Sequence, residues 1–155
     1  MLKQSRLSKL LLTLSALVLL TTACASVSLA QAAKEKSLYE RLGGYDAIAL
    51  VVDDFVGRLV QDPQFARFFT GFSVDSKKRI RQHIVDQFCA AAGGPCLYTG
   101  REMRTVHQGL GITEADWNAA AKHLVASLDK FKVPKREKDD LLAFVSSLKK
   151  DIVEK

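Results

Sequence analysis

The sequence predicts an all-α domain. Apolar residues recur at helical spacing along most of its length, and no segment shows the alternation of a half-buried strand. Glycine or proline stands at nearly every boundary between the periodic stretches. Ser37-Leu38-Tyr39-Glu40 has the form of a capping box and opens a short helix that stops at Gly43-Gly44. From Tyr45 onward, Ile48, Val51, Val52, Phe55, Val56 and Leu59 form the stripe of a second helix, which Asp62-Pro63 ends. A turn carrying Phe65, Phe68 and Phe69 follows. Ser73 or Asp75 caps the next helix, whose inward face is expected to hold Ile80, His83, Ile84, Gln87, Phe88 and Ala91 before Gly93-Gly94-Pro95 breaks it. After a loop, a short helix runs through Met103 and Val106-His107 and is closed by Gly109 and Gly111. Thr113 to Asp116 is a second capping box, heading a long helix with Trp117, Ala121, Leu124, Leu128 and Phe131 on its stripe. Pro134 is expected to end that helix, and Leu141, Leu142, Phe144, Val145, Leu148 and Ile152 mark the last one.

The amino-terminal residues carry an address rather than part of the fold. Lys3, Arg6 and Lys9 precede an apolar run from Leu10 to Leu20, interrupted only by Thr13 and Ser15. The run is too short to span a bilayer as a stable helix but suits the hydrophobic region of a secretory signal. Two processing routes are open: Ala23-Cys24-Ala25 is a small-x-small cleavage site, and Cys24 is a candidate for lipidation as the first residue of a lipoprotein. The lipobox is imperfect, with Thr21 where a larger aliphatic is usual. Residues 1–25 are thus expected to be a signal peptide, 26–36 a small, polar tether, and 37–155 one domain with a single core. Export to the periplasm, or to a membrane through a lipid, is the expected localisation.

Charge excludes a nucleic-acid partner. Loss of Lys3, Arg6 and Lys9 with the signal lowers the formal net charge from +6 to +3, and the remaining bases are interleaved with acids. The cluster Lys77-Lys78-Arg79-Ile80-Arg81 reads as a solvated helix start.

Histidine carries the chemistry. His107 ends a short helix among apolar neighbours and precedes helix-breaking glycines, so one ring nitrogen is free to face a pocket. His83 lies on the apolar face of another helix. These two have no acid at ligand spacing, whereas a bare zinc site takes three or four ligands. An apolar slot with one or two axial histidines is what a haem needs. His123, between Lys122 and Leu124 in the long helix, reads as structural or surface-exposed.

Specific runs add to this. Leu38-Tyr-Glu-Arg-Leu-Gly-Gly44, Val51-Val-Asp-Asp-Phe55, Phe68-Phe-Thr-Gly71, Gly93-Gly-Pro95, Tyr98-Thr-Gly100 and Met103-x-x-Val-His-Gln-Gly-x-Gly-Ile112 resemble the group I truncated haemoglobins from Ser37 to Val153. The resemblance implies a two-over-two helical sandwich holding one haem b, with His107 as the proximal iron ligand. Phe55, Ile80, Ile84, Phe88 and Met103 are the implied pocket residues beside the two histidines. The distal side departs from the family pattern. Val56 stands where a tyrosine commonly follows the phenylalanine, and Ile84, with Ile80 a turn earlier, occupies the place of the usual glutamine. His83 precedes Ile84, at the place where some cyanobacterial members bind the iron directly, and is the candidate sixth ligand. Those members can also link a late histidine to the haem; no histidine follows His123, so non-covalent haem is expected.

Cys89 and Cys96 flank the Gly93-Gly94-Pro95 corner and are expected to pair in an oxidising compartment, leaving Cys24 as the odd cysteine. There is no Cys-x-x-Cys-His for c-type attachment. Three function classes follow. The first is reversible binding of a diatomic gas (oxygen, NO or CO). The second is electron transfer or redox sensing through a bis-histidine haem, served by a reductase or other redox partner of unknown identity. The third is detoxification of NO or peroxide, which the lack of a distal hydrogen-bond donor weakens.

Overall fold

Local capping chemistry sets where the helices begin. The computed structural model describes residues 35–155, so the expected signal segment, Cys24 and most of the 26–36 tether lie outside the described residues. Ser37 caps α1 (Leu38–Arg41): its hydroxyl accepts from the Glu40 amide at 3.2 Å while its own amide donates to the Glu40 carboxylate at 2.8 Å. The second helix, α2 (Gly44–Gln61), ends at Asp62, whose carboxylate accepts from the Gln64 amide and caps a 3-10 turn over Pro63–Phe65. A single turn, α3 (Ala66–Phe69), leads to α4 (Val74–Ala91), capped by Ser73. The remaining helices are α5 (Met103–His107), α6 (Glu114–Lys130), α7 (Lys135–Ser147) and α8 (Lys149–Ile152). Among the described residues there is no strand.

Helix α2 is the centre of the packing, lying against α4 and against α6. Val52 from α2, Val85 from α4 and Leu128 from α6 are fully buried together, and Leu141 of α7 joins the same core. Phe88 of α4 meets Phe144 of α7 edge-on, with ring centroids 6.3 Å apart. Two helices thus face two, α2 and α4 over α6 and α7, in the expected two-over-two sandwich.

Two carboxylates, a half-buried one and a buried one, tie the layers. Asp54 on α2 accepts from Arg58, from Ser127 at 2.8 Å and from Lys130 at 2.5 Å, joining α2 to α6. Asp116 closes the Thr113 capping box and also accepts from Gln64 and Arg67, fixing the turn after α2 onto α6.

Three boundaries differ from the sequence expectation. Helix α6 stops at Lys130, ahead of Pro134. Lys132 takes a left-handed conformation at φ 55°, with the Val133 amide donating to the Leu128 carbonyl and the Lys132 amide to that of Asp129. This is a Schellman ending, formed without the glycine that normally announces one. Pro134 instead precedes α7 as its cap. The expected last helix is divided at Leu148 into α7 and α8. On α4, the buried residues are Val85, Phe88 and Cys89, while Ala91 is exposed. Ile80, His83, Ile84 and Gln87 are half-buried. Val85 lies about 100° round the helix from Ile84. The helix therefore has two apolar faces: one closes the core against α2 and the other lies beside it.

Candidate functional site

The two candidate histidines stand on separate elements, His83 on α4 and His107 on the short helix α5. On α5, His107 is half-buried and its Nδ1 lies 2.8 Å from the carbonyl oxygen of Met103, one turn earlier. A carbonyl can only accept, so Nδ1 carries the proton and Nε2 keeps its lone pair. That is the tautomer and orientation in which a neutral imidazole binds a metal.

Helix α5 buries none of its side chains. Met103 is half-buried, while Val106 and nearby Leu110 are exposed at 39% and 44%. A five-residue helix cannot hold itself in water. Its ties run to α8, including an Arg104–Asp151 ion pair at 2.5 Å.

On α4, His83 has its Nδ1 buried without a hydrogen-bond partner among the described residues. Leaving such an atom unpaired costs about 1–3 kcal/mol. The ring of Tyr98, from the loop after α4, stands edge-on to the imidazole at 6.1 Å. Its hydroxyl donates to the Arg101 carbonyl at 2.7 Å, and burial pushes its pKa up. Tyr98 sits in one of the recognised runs, but its contact with His83 is invisible in the sequence because loop residues carry no periodicity.

The surroundings are apolar. Phe55 and Ile84 each pack half-buried against the core, and Phe88 is buried in it. Ile80 is half-buried one turn before Ile84. Val56 lines an open cleft of about 620 Å³ between α2 and the start of α4, shared with Asp53, Lys77, Lys78 and Arg81, and neither histidine, Ile80 nor Ile84 lines it. Arg81 is spent on Asp53, at 2.6 and 2.9 Å, and Gln82 on Tyr45 and Asp86. His123 stands outside this group: its Nε2 is 2.7 Å from Asp62, whose carboxyl it holds below the ordinary range.

Cys89 is fully buried, and its Sγ is bonded to that of Cys96 across the α4 corner, with Cα atoms 5.7 Å apart. Gly94 makes this corner possible. A Cβ there would lie 2.5 Å from the Tyr39 ring and 2.7 Å from the Cys89 sulfur.

Among the described residues no three His, Cys, Asp or Glu side chains gather as a metal site. Two separated histidines, one with a bare Nε2 and one with an orphaned buried nitrogen, suit a metal that arrives inside an apolar macrocycle. Haem is such a group, and the residues present fit it.

Comparison with known proteins agrees. Residues 37–154 match the family model for bacterial-like globins. The group 1 truncated hemoglobin GlbN of Mycolicibacterium paratuberculosis is 38% identical over 120 residues, covering 77% of this chain and 86% of that protein. GlbN of Synechocystis is 37% identical over 116 residues, covering 72% and 88%. Among solved structures, the 2/2 hemoglobin of Synechococcus, with covalently attached heme, superposes with a TM-score of 0.69 at 32% identity, over 77% of this chain and 100% of that one. The truncated hemoglobin of Tetrahymena pyriformis shares the fold with a TM-score of 0.70.

Proposed function

The chain belongs to the bacterial-like globin family, as a haem-binding truncated hemoglobin, and from that premise we propose that it binds a diatomic gas reversibly at a haem iron held by His107. The supporting observation is the Met103 carbonyl, which fixes the imidazole proton on Nδ1 and leaves Nε2 for the metal. Haem, when bound, would supply an iron that takes the His107 nitrogen and can take a diatomic gas. Phe55, Ile80, Ile84, Phe88 and Met103 would keep water from the haem by presenting hydrocarbon to it. None of them donates a hydrogen bond, so oxygen gains no polar stabilisation from these side chains, and NO or CO suits the site at least as well. The same lack of donors tells against NO dioxygenase or peroxidase chemistry.

His83 would be the second protein ligand in this reading, one that a gas must displace. Its orphaned Nδ1 favours a second function, electron transfer or redox sensing through a bis-histidine haem. Absorption spectra of the purified ferric and ferrous protein read the resting ligation, and addition of CO decides between the two functions. A low-spin ferrous haem that CO converts fully fits gas binding, and one that resists CO fits electron transfer. Low-spin bands in both states mean two protein ligands; a high-spin ferrous spectrum means an open gas site. We further propose that the protein acts after export, with Cys89 and Cys96 bridged, the haem non-covalent, and Cys24 as its lipid anchor if one is added. A reductase or other electron partner is expected; nucleic acid is not.

A further inference from the structure

Building on the reading of His107 as the iron ligand, we propose that Glu154 is a positioning residue for it, pinning the turn after α5 and so setting how the imidazole meets the iron. The need for such a device follows from α5 itself, which is five residues long and buries no side chain. Something other than packing must fix its place.

The chain turns sharply after His107, with the Leu110 amide donating to the His107 carbonyl at 3.1 Å. Gly109 and Gly111 follow at φ 83° and 64°, a region that side-chain-bearing residues rarely adopt. Both glycine amides donate to one carboxylate: Gly109 to Oε1 of Glu154 at 2.5 Å and Gly111 to Oε2 at 2.6 Å. Both oxygens are thus engaged in charge-assisted hydrogen bonds, the stronger kind.

Glu154 is itself held by the backbone. Its amide donates to the Ile112 carbonyl at 2.8 Å, and the Glu114 amide donates to the Lys155 carbonyl at 3.0 Å. Ile112 is buried, so this short strap is anchored at the head of α6. Asp151, on α8 just before Glu154, receives Arg104 from α5. His107 therefore lies between two ties to the same segment, one at Arg104 and one at Gly109–Gly111. The Met103 carbonyl sets the tautomer of the ring; the Glu154 carboxylate sets the place of the turn that carries it. Glutamine cannot replace it fully. It keeps one acceptor oxygen but sets an N–H donor against the other amide.

The test uses full-length, haem-loaded protein with Glu154→Ala and Glu154→Gln. Two readouts apply: the iron–histidine stretching band by resonance Raman immediately after CO photolysis, and the rate of haem transfer to excess apomyoglobin. Both variants should shift the band to lower frequency. Haem release should speed up by roughly tenfold in Glu154→Ala, equivalent to about 1.4 kcal/mol, and by less in Glu154→Gln. If the alanine variant does not fold, the glutamine variant carries the test. Lys149→Ala is the comparator, because it breaks the 2.7 Å ion pair with Glu114 in the same segment without touching the glycine amides. It should leave the band in place. The proposal is overturned if the Glu154 variants keep the wild-type band and release rate, or if Lys149→Ala moves both as far. Should His107→Ala retain haem with an unchanged ferrous spectrum, the underlying ligand assignment fails instead. Silent Glu154 variants in a protein whose haem does depend on His107 defeat this inference alone.

Discussion

Tyr98 stands edge-on to His83, with ring planes 76° apart, yet its hydroxyl donates to the Arg101 carbonyl and not to the imidazole. The pair packs without exchanging a proton. His83 therefore keeps a buried Nδ1 that no group among the described residues satisfies.

That relationship gives the first prediction. With His83 on the iron at rest, gas must wait for it to leave, and apparent affinity falls by the fraction of time the site is open. CO should bind slowly, at a rate that saturates with concentration. His83→Ala should give a high-spin ferrous spectrum and fast CO binding, linear in concentration. A wild-type ferrous protein that is already high spin would show His83 to be a rim residue.

The second concerns His107. His107→Gly should lose haem retention, and added imidazole should restore a Soret band by filling the space left by the side chain. The readout is the haem-to-protein ratio after gel filtration. A variant that keeps stoichiometric haem with the wild-type ferrous spectrum would remove His107 from the iron.

A third prediction follows from Cys89 and Cys96. In exported protein, mass spectrometry after alkylation without reduction should find both unmodified. Cys89→Ser with Cys96→Ser should lower stability by about 2 kcal/mol in denaturant, since the bridge closes a short loop. Ready alkylation at both positions defeats the pairing. The same experiment reads Cys24: a diacylglycerol adduct there marks a membrane-tethered protein, and cleavage after Ala25 or Ala30 a soluble one.

The fourth is a pH dependence. Gln64 first, then the Thr113 amide and hydroxyl and Arg67, stabilise the Asp116 carboxylate and lower its pKa from 3.8 to about 2. Asp54 is held lower still, by Lys130 and Arg58. A carboxyl depressed on folding contributes stability that is complete above its unfolded value and lost as pH falls through its folded one. Thermal melts should therefore drop steeply as pH falls from about 4 to 2, the interval between the two Asp116 values. Asp116→Asn should be less stable at neutral pH by roughly 2 kcal/mol, the scale of hydrogen bonds to a charged group, and its melt should depend less on pH in that interval. Equal slopes for the two proteins would count against this account.

Much of this molecule was legible in its sequence because the signals are local. Ser37 with Glu40, and Thr113 with Asp116, announce helix starts through partners three residues away. The stripe on α2 and the glycines at 43, 44, 93 and 94 mark what is buried and where the chain turns. The orientation of His107 has the same local origin: the carbonyl its Nδ1 meets belongs to its own helix, one turn back.

What the tertiary structure decided rests on partners distant along the chain. No periodicity distinguishes the α4 face at Val85 and Cys89, which closes the core, from the adjoining face at Ile80 and Ile84, because both are apolar. Only the placement of α2 separates them. Tyr98 meets His83 because the corner at Gly94 folds its loop back over α4. Lys132 ends α6 in a conformation its residue type does not announce. Glu154 reaches Gly109 and Gly111 from more than forty positions away, where it is one surface acid among many until the chain has folded. Local hydrogen bonds and periodicity are written in neighbouring residues; a contact across the fold depends on how the helices pack, and that is settled by the whole chain at once.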